Sequence, residues 1–127
     1  MIDHVSVPVR NLAEAAAFYT EVLAPLGYTR LVERPATVGF GKRYPELWLN
    51  LRPGLGPAPA DPGAHVALRA GDEAAVRAFH AAALARGGRS AGEPGPRQAA
   101  MTGYFGAFIL DPDGNKIEAL TFPLRAA

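Results

Sequence analysis

The length and composition of this chain indicate one small globular domain. It has 127 residues, of which 49% are hydrophobic and 20% charged, and it contains no cysteine. The lack of cysteine excludes disulfides, thiolate metal ligands and cysteine nucleophiles. A net charge of +1 gives no reason to expect nucleic acid or a membrane surface as a partner.

The N-terminus does not resemble a signal peptide, and no apolar run approaches the roughly 18 residues of a bilayer span. We therefore expect a cytoplasmic protein.

The first half of the chain is predicted to contain one strand, one helix and three further strands. Residues 2–9 alternate between apolar and polar side chains, as in a half-buried strand. Asn11 is a candidate N-cap, with Glu14 as its capping-box partner, for a helix from Leu12 to about Ala24. Shorter apolar runs predict the three strands, near residues 28–34, 36–41 and 46–52.

The second half follows the same order. A strand is predicted at 64–70, then a helix capped by Asp72 that runs to about Arg86, with Val76, Phe79, Ala83 and Leu84 on its apolar stripe. Three strands are predicted near 88–91, 103–110 and 115–122. Residues 53–63 contain four prolines and three glycines, which is typical of a linker. A second loop is predicted at residues 92–102. The predicted organisation is therefore one domain, 1–127, with a first module over about 1–52, a linker over 53–63 and a second module over about 64–127.

The two halves also match in sequence. A shift of 61 residues places His4 over His65 and gives eight ungapped identities over 24 residues. Alanine-rich helices agree by chance more often than most segments, but the matched His-Val pair, phenylalanine, leucine and glycine do not depend on alanine. We interpret the chain as two copies of one supersecondary unit. The predicted fold is α+β, in which two tandem βαβββ modules form a partly closed, curved sheet with the helices outside.

One carboxylate occupies an unusual position in the last predicted hairpin. Pro112 and Gly114 favour a tight turn, and the strand after it carries Glu118 among Ile117, Ala119 and Leu120. A carboxylate buried there requires a partner or a metal ion, whereas one that faces solvent does not. Both readings of Glu118 remain open from the strand pattern alone.

Alternation along the strands predicts that three possible metal ligands share the open face of the sheet. His4, His65 and Glu118 all lie on the chemically varied side of their strands. Two histidines and one carboxylate form a set that suits Fe(II), Mn(II), Ni(II) or Zn(II) and leaves coordination positions for substrate. The alternative is that the histidines match only because the modules are copies, in which case no metal is bound.

The residues above resemble those of the vicinal oxygen chelate superfamily, which includes glyoxalase I, bleomycin- and fosfomycin-resistance proteins and extradiol dioxygenases. The resemblance lies in the histidine that opens each βαβββ module, the segment DHVSVPVRNLAEAAAFYTEVLAPLGY and the closing Asp-Pro-Asp-Gly-Asn-Lys-Ile-Glu, and it covers essentially the whole chain. It implies a divalent metal that acts as a Lewis acid on neighbouring oxygens of a substrate. It also implies a homodimer.

Departures from the family patterns leave the reaction open. Glyoxalase I enzymes carry a second glutamate where this chain has Trp48 or Asn50, and extradiol dioxygenases carry a tyrosine where it has Phe108. We expect a small metal-dependent enzyme, similar to a lyase, transferase or dioxygenase, that acts on a small oxygenated molecule. The alternative is a metal-free protein that binds or sequesters a small molecule. The residues predicted to shape the pocket are Ser6, Phe40, Trp48, Asn50, Arg52, Tyr104 and Phe108.

Overall fold

The computed structural model describes residues 1–97 and 103–122. The first module contains strand β1 (Val5–Val9), helix α1 (Leu12–Leu23), a 3-10 turn (Ala24–Leu26) and strands β2 (Thr29–Glu33), β3 (Thr37–Gly41) and β4 (Pro45–Leu51). The second contains β5 (Val66–Arg69), α2 (Glu73–Ala85), β6 (Arg89–Gly95), β7 (Phe105–Leu110) and β8 (Lys116–Thr121). The predicted βαβββ order of both modules is confirmed.

Each module forms its own four-stranded mixed sheet. The strand order is β1-β4-β3-β2 in the first sheet and β5-β8-β7-β6 in the second, so the two orders are equivalent. The first and last strands of each module are parallel, and the other neighbours are antiparallel. The first strand of each module lies at the edge of its sheet. The predicted α+β fold of two tandem βαβββ modules is therefore confirmed, and its strands form two separate sheets, neither of which is closed.

The caps predicted for the two helices are also present. The Asn11 side chain accepts a hydrogen bond from the backbone N–H of Glu14, and Asp72 accepts one from Ala75. Each helix packs against its own sheet, and the two helices contact each other, so both modules contribute to one hydrophobic core. Leu84, predicted on the buried stripe of α2, is instead 45% exposed, because Ala83 faces the core and the next residue lies about 100° further round the helix.

Polar contacts fix the β7–β8 turn against the first module. Asp113 accepts hydrogen bonds from the backbone N–H and the guanidinium of Arg10, both at 3.0 Å, and Asn115 donates to the carbonyl of Pro8 at 2.8 Å. The buried Tyr19 hydroxyl donates to Asp111 at 2.5 Å. Burial raises the pKa of Asp111, although hydrogen bonds from Tyr19 and Asn115 partly offset the shift. The turn thereby connects the second module to the first through several hydrogen bonds.

Strand β6 is longer than the sequence predicts. It continues to Gly95 and pairs with β7 through two register shifts, so the loop predicted at 92–102 begins later. Residues 98–102 of that loop lie outside the described residues. Bulged strands lack a clean alternation of side chains, and prolines at 94 and 96 gave the segment the composition of a loop.

Candidate functional site

The second module brings two of the predicted ligands together. Glu118 lies in β8, where its neighbours across the sheet are Ala67 and Phe108, and His65 lies one residue before β5. His65 Nε2 is 3.0 Å from Glu118 Oε1. The histidine side chain is 40% exposed and the glutamate side chain only 8%. The pair therefore presents an accessible imidazole beside a buried carboxylate.

A tyrosine holds the other oxygen of the same carboxylate. The hydroxyl of Tyr104 donates to Glu118 Oε2 at 2.6 Å. Burial raises the pKa of Tyr104 above its ordinary value of 10.0, and the hydrogen bond to Glu118 raises it further, so the hydroxyl stays protonated at neutral pH. Gly106 makes room for this contact, since a Cβ atom there would overlap the Tyr104 hydroxyl. Oε1 is consequently the oxygen that Glu118 directs toward His65.

Aromatic and cationic side chains surround the pair. The ring of Phe108 packs edge-on against His65, with 5.6 Å between their centroids. Arg97 and Lys116 both lie over the Phe108 ring, at 5.8 and 5.0 Å from its centroid. The open face of the second sheet thus combines an apolar floor with positive charge.

His4 does not join this group within one chain. Its Nδ1 lies 2.7 Å from Asp3 Oδ1, and its side chain is 51% exposed. It lines a separate hollow of about 510 Å³ on the first sheet, together with Tyr44 and Trp48. Across residues 1–97 and 103–122, no three His, Cys, Asp or Glu side chains lie close enough together to hold a metal ion. The predicted convergence of three ligands is therefore not found in a single copy of the chain.

The other residues predicted for the pocket lie in several environments. The prediction that Phe40 shapes the pocket is wrong. Phe40 is fully buried in the core, with its ring centroid 6.3 Å from that of Tyr19, and so it faces the helices and not the open side of the sheet. Trp48 and Asn50 are half-buried in β4, and Arg34 lies over the Trp48 ring at 5.6 Å. The exposed guanidinium of Arg52 donates to the adjacent carbonyl of Leu51.

Ser6 and His65 line one cavity of about 420 Å³ between the modules. Its other walls are formed by β1, by prolines of the linker and by the β7–β8 turn. The cavity gives the exposed side of His65 a connection to the first module, although His4 does not line it. Among the pocket residues predicted in the first module, Ser6 shares a cavity with His65.

Two features of this site were not predicted from the sequence. Lys116 alternates with Glu118 along β8 and therefore shares its face, a signal that the strand pattern already contained. The hydrogen bond from Tyr104 to Glu118 was harder to predict. Tyr104 lies just before the first residue of β7, so the alternation of side chains along that strand does not show which way it points.

Comparisons with known proteins agree with this architecture. The family model described as Glyoxalase/Bleomycin resistance protein/Dioxygenase superfamily matches residues 1–119. The chain belongs to this superfamily. A glyoxalase/bleomycin resistance protein from Albidiferax ferrireducens T118 is 32% identical, with a TM-score of 0.81, and the match covers 93% of this chain and 96% of that one. No curated protein matches the chain.

More distant members of the superfamily share the fold. A glyoxalase/bleomycin resistance protein/dioxygenase family enzyme from Burkholderia phytofirmans PsJN is 16% identical, with a TM-score of 0.70, over 95% of this chain and 98% of that chain. Glyoxalase I from Zea mays is 21% identical, with a TM-score of 0.72, over 95% of this chain but only 46% of its own length. None of the helices in the described residues is long and apolar enough to cross a membrane.

Proposed function

We propose that this protein is a small metal-dependent enzyme of the superfamily that acts on a small oxygenated organic molecule. The observation that carries the proposal is the contact between His65 Nε2 and Glu118 Oε1 on an accessible sheet face. Imidazole nitrogen and carboxylate oxygen are the donors that Fe(II), Mn(II), Ni(II) and Zn(II) accept in sites with open positions. The proposed location is the cytoplasm.

The spacing of the two donor atoms is close to that of two metal ligands. Zinc lies about 2.1 Å from imidazole nitrogen and from carboxylate oxygen. At the tetrahedral angle that zinc prefers, two such ligands would be about 3.4 Å apart, so the 3.0 Å hydrogen-bonded contact would lengthen by a few tenths of an ångström to admit an ion. The donor chemistry fits, but the pair supplies only two protein ligands from one chain.

We propose that His4 of a second copy completes the site. Strands β1 and β5 each lie at the edge of a sheet, and each has one strand neighbour among the described residues. His4 and His65 both lie one residue before these strands. If β1 of one copy approaches β5 of another with the starts of the two strands together, the two histidines meet, and a two-fold axis generates two equivalent sites. This arrangement is a homodimer, as the family resemblance also implies.

The residues of this chain have separate roles in such a site. His65 and Glu118 would hold the ion, and the ion would polarise a substrate oxygen as a Lewis acid. Tyr104 fixes the orientation of Glu118 by binding Oε2, and Phe108 restricts the His65 ring from one side. The half-buried Phe108 also excludes water from one side of the pair.

Metal titration of purified, untagged protein tests the proposal. We expect wild-type protein to bind one of Mn(II), Fe(II), Ni(II) or Zn(II) stoichiometrically, and we expect His65→Ala and Glu118→Gln to lose that binding. The third histidine, His80, provides a matched control: it is buried, and its Nε2 lies 2.8 Å from the Ser90 hydroxyl, so His80→Gln should bind metal normally. If all four metals fail to bind to wild-type protein, the metal proposal is wrong and the fold serves metal-free ligand binding.

A further inference from the structure

The face that carries His65 and Glu118 has an excess of positive charge. Arg69 and Lys116 point to the same side of the second sheet as Glu118, and Arg97 reaches that side over Phe108. None of these three cations forms an ion pair with any residue in 1–97 or 103–122. Glu118, the acid of this face, already contacts His65 and Tyr104. Three cations therefore share a sheet face with one carboxylate that already has its own partners.

Two hydrogen bonds and a ring contact position the side chain of Arg97. Its guanidinium donates to the carbonyl of Glu93 at 2.5 Å and to that of Pro96 at 3.1 Å, and it lies over the Phe108 ring. These contacts use only part of its set of N–H donors. A fixed arginine loses little side-chain entropy on binding a ligand, so its remaining donors are preorganised for an anion.

The backbone of β6 provides the space for this arginine. A Cβ atom at Gly92 would lie 3.0 Å from both the Arg97 guanidinium and the Phe108 ring, and one at Gly95 would lie 3.5 Å from the guanidinium. Larger residues at Gly92 would therefore push Arg97 away from the ring.

We propose that the ligand of this face is a small organic anion, with a carboxylate or phosphonate head group on an apolar body, and that Arg97 binds the head group. The planar fork of arginine matches both kinds of oxyanion, and Lys116 adds a second charge at the same ring. The ring of Phe108 and the half-buried Leu120 offer contact to the apolar body. This inference rests on the proposed function for the identity of the site, but it does not require the metal.

Three probes of similar shape test the charge preference. Benzoate and phenylphosphonate carry the two head groups, and benzamide is an uncharged analogue of benzoate. Binding to the full-length protein is measured by calorimetry, first as purified and then after metal removal. We expect one or both anions to bind about tenfold or more tightly than benzamide, since hydrogen bonds between charged groups are stronger than neutral ones. The stronger of the two anions identifies the head group.

Two arginine-to-glutamine substitutions, which remove the same charge at different places, test whether Arg97 is the binding residue. Arg97→Gln should weaken anion binding about tenfold and leave benzamide unchanged, and Arg97→Lys should recover only part of the loss because it lacks the fork. Arg43→Gln is the matched control, because Arg43 is exposed in the β3–β4 turn of the other module. Its anion affinity should equal that of wild type.

Several results would overturn the inference. They are equal affinity for benzoate and benzamide, equal effects of the two glutamine substitutions, and no binding of either anion. A melting temperature of Arg97→Lys equal to that of wild type shows that the fold is intact. The anion assay is also carried out on protein without metal, so its result stands even if no metal binds in the titration. If no anion binds, the metal proposal still stands.

Discussion

Removal of the Tyr104 hydroxyl tests the organisation of the site through stability. Tyr104→Phe deletes the 2.6 Å hydrogen bond to Glu118 and leaves the aromatic ring. Both residues are largely buried, with 8% and 6% exposure, so solvent replaces the lost bond poorly. A hydrogen bond to a charged group contributes about 1.5–3 kcal/mol, and we expect the free energy of unfolding to fall by that amount.

Tyr28 provides a matched control for this substitution. It is buried to a similar extent, at 7% exposure, and its hydroxyl also points to a glutamate, but the distance to Glu46 is 3.5 Å. Such a long contact is weak, so Tyr28→Phe should cost within about 0.5 kcal/mol. Both tyrosines have raised pKa values, and so both hydroxyls are protonated at neutral pH.

The assay is urea denaturation at neutral pH, followed by circular dichroism, with the slope compared between variants to confirm that the unfolded states are alike. A second readout is metal affinity, which should fall about 10- to 100-fold in Tyr104→Phe because Glu118 loses the group that orients it. The reasoning is refuted if the two phenylalanine variants lose the same stability, or if Tyr104→Phe binds metal as wild type does.

Three further predictions concern the second module. Gly106→Ala should destabilise by about 1–3 kcal/mol, since its Cβ atom overlaps the Tyr104 hydroxyl, whereas Gly71→Ala, with open space around it, should be nearly neutral in the same urea assay. Asp111→Ala should cost about 3 kcal/mol or more, because the Tyr19 hydroxyl and the backbone N–H groups of Asp113 and Asn115 lose their acceptor. Burial raises the pKa of Asp111 above 3.8. As pH falls, the Asp111 carboxylate is therefore protonated at a higher pH in the folded state than in the unfolded state. Wild type should therefore gain stability relative to Asp111→Asn on acidification toward pH 3.8.

Each of these has a clear contrary result. A neutral Gly106→Ala would mean that Tyr104 adopts another position. An Asp111→Ala variant as stable as Asp61→Ala, whose aspartate is exposed in the linker, would show that the β7–β8 turn does not depend on its carboxylate. A wild-type stability that falls in parallel with Asp111→Asn on acidification would contradict the raised pKa.

The repeat and the helix caps could be predicted because both are local in sequence. Asn11 and Asp72 cap helices a few residues away, and the equivalence of His4 and His65 fixes the same strand order in both modules. Glu118 was identifiable as an unusual carboxylate, because it interrupts an apolar strand. Its tyrosine partner was not, since that contact depends on how the chain enters β7.

The sequence placed Phe40 on the wrong face and did not show that His4 and His65 stay apart within one chain, and both outcomes have physical reasons. Phe40 has glycine on both sides and a register shift beside it, so alternation gave no indication of which face it occupies. The convergence of His4 with His65 depends on which copies of the modules are neighbours in space. Internal repetition predicts that equivalent edges can pair, but it does not determine whether they do so within one chain or between two.

Metal binding by a mixed dimer tests the shared site most directly. His4→Ala and Glu118→Ala chains carry different tags, are co-expressed, and are purified as the mixed species. Each variant alone should fail to bind metal, whereas the mixed dimer should hold one ion, because one of its two sites combines the intact His4 of one copy with the intact His65 and Glu118 of the other. A mixed dimer as empty as its parents, or a His4→Ala protein that binds metal like wild type, would contradict a site built from two chains.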